Sequence, residues 1–125
     1  DNITGHHMPS NDFMKKKTGI SRRKSWAMNL EQPSIAGRHR RTFTYGLYSN
    51  SRAKQLYDAL TPRDALAFDI YDVKRILLED GVYDSYAKKQ IKQYVNKYKS
   101  DKDFEEIFDK NSKYNKKSTM CKKKG

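Results

Sequence analysis

The 125-residue sequence lacks the features that would cross-link the chain by a disulfide or anchor it in a bilayer. Its single cysteine, Cys121, has no second thiol for an internal disulfide, so nothing in the chain requires an oxidising compartment. No apolar run approaches the roughly 18 residues that cross a bilayer, and no signal-peptide pattern is present. We therefore expect no membrane span, and a single domain, because a chain of this length is too short for two.

Acidic residues are also scarce relative to basic ones. Lysine and arginine number 27 against 15 aspartates and glutamates, which leaves a formal net charge of +12. Residues 1–50 carry half of that excess and all three histidines. A positive field of this size attracts polyanions and stabilises their complexes by counterion release. Nucleic acid is the expected partner, while a membrane surface and an acidic protein stay as alternatives.

The sequence changes character near residue 50. Before it, Gly, Pro, Ser and Asn recur; residues 24–30 are typical of a strand, and residues 1–5 of a hairpin arm ending at the paired histidines. After it, four segments keep the apolar period of a helix. They begin near Ala53, at Pro62 behind a Thr61 cap, near Asp84 and after Ser100, and the second ends at Gly81.

These patterns predict an α+β fold in which a small, irregular or two-stranded N-terminal portion packs on three to four C-terminal helices. We expect one domain over residues 1–110, with residues 1–48 holding the active site and residues 49–110 forming a helical scaffold. Residues 111–125, rich in Lys, Asn and Ser, are expected to form a basic flexible tail, because this composition buries too little apolar surface to order itself.

The N-terminal portion contains every residue type that phosphodiester cleavage needs. Histidine can act as general base or acid near neutral pH, and arginine presents a planar fork to phosphate oxygens. The candidate catalytic residues are His6, His7 and His39. The candidate substrate-binding residues are Arg38, Arg40, Arg41, Thr42, Lys17, Arg22 and Arg23.

Three short motifs, "GHHMPS" (5–10), "AMNL" (27–30) and "RHRRT" (38–42), resemble the histidine-metal finger (HNH) nucleases. More narrowly, they are similar to the GHH-type toxin domains at the C-termini of bacterial polymorphic toxins, of the Rhs/YD-repeat, wall-associated and contact-dependent inhibition types. The resemblance implies that His7 is the general base that activates water and that Asn29 holds its imidazole. It also implies that His6 is a metal ligand or a buried orienting group, and that His39 binds the metal.

The sequence departs from this family at one ligand. Colicin-like members place a second ligand four residues beyond the histidine of the helix, and here that position is Phe43. A divalent metal ion held by His6 and His39 is therefore one alternative. In the other, one of His6 and His7 forms a metal-free base–acid pair with His39, and the nucleophile is the substrate's own 2′-hydroxyl. Such a site would cut RNA and spare DNA.

The expected function is that of an antibacterial toxin domain that cleaves phosphodiester bonds, with RNA, tRNA included, as the preferred substrate. A metal-dependent HNH-like DNase and a non-catalytic basic nucleic-acid-binding module are the alternatives. The resemblance further implies a larger secreted or cell-surface parent protein and action in the cytoplasm of a target cell. It also implies a cognate immunity protein, expected to be acidic, that covers the region of residues 6–39.

Overall fold

The computed structural model of the chain describes residues 5–20, 26–29, 38, 41–45, 47 and 51–116. In these ranges the elements are β1 (Gly5–His7), α1 (Asn11–Thr18), β2 (Ala27–Asn29), α2 (Arg52–Asp58), α3 (Pro62–Glu79), α4 (Ser85–Ser100), α5 (Glu105–Phe108) and a short 3₁₀-helix (Lys113–Asn115). The predicted α+β fold, with a two-stranded N-terminal portion beside several helices, is confirmed.

The caps of α3 are those that its sequence predicts. The Thr61 side chain accepts a hydrogen bond from the Asp64 backbone N–H at 3.2 Å, and Pro62 is the first helical residue. Beyond the end of α3, Gly81 has φ = 71°, a left-handed conformation that glycine adopts without steric cost. Helix α3, with 18 residues, is too polar to cross a membrane, and the other helices of the described ranges are shorter than such a span.

Helix α4 also follows its predicted course. The Asp84 side chain caps it by accepting a hydrogen bond from the Ala87 N–H at 2.9 Å. Four residues at helical spacing form its buried face: Ala87, Ile91, Tyr94 and Tyr98. The opposite face is exposed and rich in lysine.

Helix α1 lies in the half of the chain that was expected to be irregular. Ser10 caps its start by accepting from the Phe13 N–H at 3.3 Å, and Gly19 ends it with φ = 77°. Only Phe13 and Met14 are buried in its eight residues. Two adjacent apolar residues do not establish a helical period, so only the caps signalled this helix.

The core joins the inner face of the strands to α3, α4 and α5. Its aromatic centre is Tyr98, whose ring centroid lies 4.8 Å from those of Phe104 and Phe108. The fully or nearly fully buried apolar members include Met8, Phe13, Met14, Met28, Tyr57, Ala65, Val73, Leu77, Tyr94 and Ile107. Residues from both halves of the chain therefore form one core.

The packed region extends beyond residue 110, which corrects the predicted start of the flexible tail. Asn115 is buried, its side-chain Oδ1 accepts from the Arg63 N–H at 2.8 Å, and its Nδ2 donates to the Ile107 carbonyl at 2.6 Å. These bonds tie the 3₁₀-helix to the start of α3 and to α5. Hydrogen bonding by one polar residue thus orders a segment whose composition is low in apolar residues. Residues 117–125 of the predicted tail lie outside the described residues.

Candidate functional site

The two adjacent histidines lie within β1, on opposite faces of a two-stranded antiparallel ribbon. His6 is opposite Met28 and His7 is opposite Ala27. Successive side chains of a strand alternate between its faces. Accordingly His6, 2% exposed, and Met28, 5% exposed, face the core, whereas His7 is half-buried and Ala27 is exposed. His7 is therefore the more accessible member of the pair, and its Nδ1 atom is buried.

The connection between the strands differs from the predicted hairpin. β1 itself contains the histidines, and α1 lies between β1 and β2 in the chain. Residues 1–4 of the predicted hairpin arm lie outside the described residues. Asn29 ends β2 opposite Gly5, and its expected contact with the His7 imidazole stays a prediction.

Tyrosines of the helices fix the backbone that follows His7. The Tyr94 hydroxyl of α4 accepts from the Met8 N–H at 3.0 Å and donates to the Trp26 carbonyl at 2.7 Å, so it joins both strands at the end of the ribbon. The Tyr57 hydroxyl of α2 accepts from the Ser10 N–H at 3.0 Å. Burial raises the pKa of both phenols above their ordinary range, so both stay protonated. We call the Tyr57 and Tyr94 hydroxyl groups the tyrosine clasp, and their hydrogen bonds fix the backbone next to His7.

The Tyr57 hydroxyl is in turn positioned by the buried side chain of Asp69. Its carboxylate accepts from the Tyr57 hydroxyl at 2.6 Å, and it is 1% exposed. Burial raises the pKa of Asp69 from 3.8 to about 7; the nearby Asp72 acts in the same direction, and the Tyr57 hydrogen bond opposes both. The anchoring of the histidine segment therefore depends on a group that titrates near neutral pH.

Replacing Asp69 by asparagine is expected to remove a pH dependence of stability. The folded-state pKa lies above the ordinary value, so the contribution of Asp69 to the free energy of unfolding is fully present below about pH 4 and is lost as pH rises to about 7. Between pH 5 and 8 the loss is about 2 to 3 kcal/mol, at 1.36 kcal/mol per unit. Urea unfolding is measured at pH 5 and at pH 8. The free energy of unfolding of Asp69→Asn, relative to that of the wild type, should rise by this amount between the two pH values.

The exposed Glu105 provides the control for this measurement. We expect Glu105→Gln to change stability by less than about 0.5 kcal/mol at either pH. A difference between Asp69→Asn and the wild type that stays constant from pH 5 to 8 would show that Asp69 does not titrate in this range.

The arginine-rich segment is attached to the C-terminal end of α3. Arg38, 0% exposed, donates from Nε to Asp80 at 2.8 Å, and Arg41 donates to Asp80 at 2.8 Å and to Glu79 at 3.0 Å. The guanidinium groups of Arg38 and Arg41 lower the pKa of Asp80. Arg38 and Arg41 thus bind carboxylates of the same chain, and their predicted phosphate contacts stay predictions.

The rest of this segment continues along α3 toward the tyrosine clasp. The Phe43 N–H donates to Asp72 at 2.6 Å, and the Phe43 ring lies 6.4 Å from that of Tyr57 between centroids. Thr42 is 5% exposed, so its predicted contact with substrate would need this segment to move. Tyr57 is thus a common neighbour of the histidine and arginine segments.

The other predicted site residues divide between exposed and undescribed positions. Lys17 is exposed on α1, with its ammonium 5.5 Å from the centroid of the Phe13 ring. Its role toward substrate stays a prediction. His39, Arg40, Arg22 and Arg23 lie outside the described residues, so the predicted meeting of His39 with His7 also stays a prediction. The described residues that follow His39, 41–45, form turns where the finger family would continue a helix.

A metal site cannot be assembled from the described residues alone. Within them, no three His, Cys, Asp or Glu side chains come close enough together to hold an ion. The ligand pair named from the resemblance, His6 and His39, includes one residue outside the described ranges. His6 also faces the core, on the other side of the ribbon from His7.

A basic surface that motif analysis missed lies on α4. All five lysines of this helix (Lys88, Lys89, Lys92, Lys97, Lys99) are exposed, and its 16 residues include no acid. None of these ammonium groups lies within ion-pair distance of a carboxylate of the described residues. Counting charge helix by helix would have found this surface in the sequence, because α3 contains seven charged residues of mixed sign and α4 only lysines.

Comparison with known proteins adds no relative. No protein-family model matches the chain, and neither a curated protein nor a solved structure is significantly similar to it. The chemistry of its own residues therefore carries the functional inference.

Proposed function

We propose that this chain is a nuclease domain that cleaves RNA, with His7 as a side chain that exchanges a proton with the substrate. The observation that supports the proposal is the position of His7. It is the half-buried histidine on the outer face of the ribbon, with its Nδ1 atom buried, and β2 of that ribbon lies against the lysine-rich helix α4. A proton-transfer group beside an unneutralised positive surface suits a polyanionic substrate.

The reaction that fits these groups is attack by the 2′-hydroxyl on the adjacent phosphorus. A general base removes the 2′-hydroxyl proton, the 2′-oxygen bonds to phosphorus, and the bond to the 5′-oxygen breaks. A general acid gives a proton to that leaving oxygen, so the products are a 2′,3′-cyclic phosphate and a 5′-hydroxyl. His7 serves as one member of this pair and His39 as the other. A lysine ammonium offsets the charge that grows on the phosphate oxygens.

The opposite orientations of the paired histidines favour this route over the metal finger. In the finger, His7 would activate water while His6 and His39 held the metal. Because His6 faces the core and His7 faces outward, the two imidazoles do not converge from one face of the ribbon. A buried structural role for His6, without part in the proton transfer, is compatible with its 2% exposure.

The biological setting is proposed from the resemblance alone. In this proposed setting, the domain is the toxic C-terminal part of a larger secreted or cell-surface protein of bacteria, and it acts in the cytoplasm of a competing cell. A cognate immunity protein of acidic character would neutralise it by covering the region of residues 6–39. The net charge of +12 suits an acidic partner.

A non-catalytic nucleic-acid-binding module is the second candidate. The exposed lysines of α4 favour it, because they would bind a polyanion whether or not His7 takes part in a reaction. In that case the histidine segment would be structural, since its Met8 side chain is part of the hydrophobic core.

One cleavage assay separates these candidates. The purified protein is incubated with total RNA and with supercoiled plasmid, each in EDTA and in Mg²⁺. We expect RNA to be cut in EDTA, with cyclic-phosphate ends, and plasmid to stay intact. Nicking of plasmid that EDTA abolishes would replace this proposal by the metal-dependent DNase. Binding of either nucleic acid without cleavage would replace it by the binding module.

A further inference from the structure

A polar groove lies between β2 and α4. Its walls are Ala27, Met28, Gln90, Gln93, Tyr94 and Lys97, and its volume is about 130 Å³. The amides of Gln90 and Gln93 have no hydrogen-bond partner within the described ranges of the chain. Gln90 is half-buried and Gln93 is exposed, so both amides present donors and acceptors to whatever enters the groove.

Ala27 links the groove to His7, which is not itself one of the wall residues. Ala27 is both one of its walls and the cross-strand partner of His7. Directly opposed residues of an antiparallel pair have Cβ atoms about 5 Å apart. Ala27 therefore lies between a ligand in the groove and the His7 side chain.

Positive charge and an exposed aromatic ring flank the same groove. The Lys97 ammonium lies 4.9 Å from the centroid of the Trp26 ring, and Trp26 is 36% exposed. The Trp26 indole N–H donates to Asp101 at 3.2 Å, which holds the ring in place. A fixed aromatic beside a basic groove is typical of surfaces that bind unpaired nucleotides, because bases stack on such rings while cations contact phosphate.

We infer that the β2–α4 groove binds one unpaired nucleotide of an RNA strand beside His7. Gln90 and Gln93 hydrogen-bond the edge of the base, and Lys97 contacts a neighbouring phosphate. The inference rests on the proposed function, to which it adds the class of substrate, single-stranded RNA, and the location of base recognition. Amide side chains distinguish bases because each base edge presents its own order of donors and acceptors.

Binding without cleavage provides the test. Labelled, single-stranded 2′-O-methyl oligonucleotides of uniform sequence (U, C or A) lack the 2′-hydroxyl nucleophile, and their affinity is measured by fluorescence anisotropy in EDTA. The wild type is expected to prefer one base. The double variant Gln90→Ala/Gln93→Ala should lose that preference, with about a tenfold lower affinity for the preferred sequence and an unchanged salt dependence.

Lysine variants of the same helix provide the matched comparison. Lys97 and Lys99 are both exposed, and residues two apart lie on nearly opposite sides of a helix. Lys97→Ala should lower affinity about fivefold at 0.1 M salt and reduce the slope of log K against log salt by about 0.7, whereas Lys99→Ala should change affinity by less than about twofold. Equal losses for the two variants would overturn the groove as the binding site, and so would an unchanged base preference in the double variant.

The outcomes also separate this inference from the nuclease proposal. Groove-dependent oligonucleotide binding without cleavage of natural RNA would keep the groove and reject the nuclease. Cleavage of natural RNA by a protein whose groove variants bind like the wild type would keep the nuclease and reject the groove. Binding to vesicles rich in phosphatidylserine, with none to oligonucleotides, would reject the groove as an RNA site in favour of a membrane surface.

Discussion

Replacing His7 by alanine is expected to slow RNA cleavage by about 100- to 10,000-fold, the usual contribution of a general acid or base. His7 is half-buried on the solvent face of the ribbon, and its backbone is fixed through the Met8 bond to Tyr94. Alanine removes the imidazole without disturbing that bond. The midpoint of thermal unfolding should therefore change by only a few degrees, about 3 °C or less. Single-turnover rates on a defined RNA would measure the effect.

The neighbouring histidine provides the control for His7. His6 is almost fully buried, so His6→Gln is expected to lower thermal stability, yet the cleavage rate per folded molecule should stay within about threefold of the wild type. Added imidazole should restore part of the rate to His7→Ala, because it can replace a missing proton carrier but not a missing structural contact. A large loss of rate in His6→Gln with little loss in His7→Ala would contradict the assignment.

Replacing Asp80 by alanine is expected to lower the midpoint of thermal unfolding by about 10 °C. Asp80 accepts hydrogen bonds from Arg38, whose side chain is 0% exposed, and from Arg41. Alanine would remove the carboxylate that both guanidinium groups share, and a buried cation that loses its counterion is strongly destabilising. Differential scanning calorimetry at low ionic strength would measure the shift.

Glu79 provides the matched control for Asp80. It carries the same charge one residue earlier in α3 and binds Arg41 and Arg75, but it is 51% exposed. Exposed ion pairs contribute little, so Glu79→Ala should lower the midpoint by less than about 3 °C. Similar shifts for the two variants would show that Asp80 does not carry the attachment of the arginine segment.

Much of the helical half could be predicted from the sequence because its signals are local. Thr61, Pro62 and Gly81 mark the ends of α3 within a few residues of where they act, and the apolar spacing of α4 identifies its buried face. Local signals were too weak for α1, which has two buried residues. Asn115 orders the C-terminal segment through bonds to Arg63 and Ile107, and no local pattern reports such contacts.

The candidate site was predicted by residue type better than by geometry. The motif identified His6 and His7 as candidate residues. Their opposite orientations could be inferred only after both were placed within a strand. The carboxylate that binds Arg38 and Arg41, that of Asp80, is about forty residues away in the chain, so no local sequence pattern indicated these contacts. The fold alone brings those charges together, whereas the lysines of α4 were visible in the sequence as an acid-free helix.

The bond from Tyr94 to both strands has a consequence for how the molecule can be divided. A ribbon of three residue pairs is too short to persist in water without other support. At one end of the ribbon, the residues next to both strands are joined by hydrogen bonds to the Tyr94 hydroxyl, which lies about seventy to ninety residues further along the chain. The paired strands of residues 5–7 and 27–29 are therefore not expected to keep their arrangement when moved to another protein, and a chain that ends before α4 would lose the hydrogen bonds from Tyr94 that hold both strands.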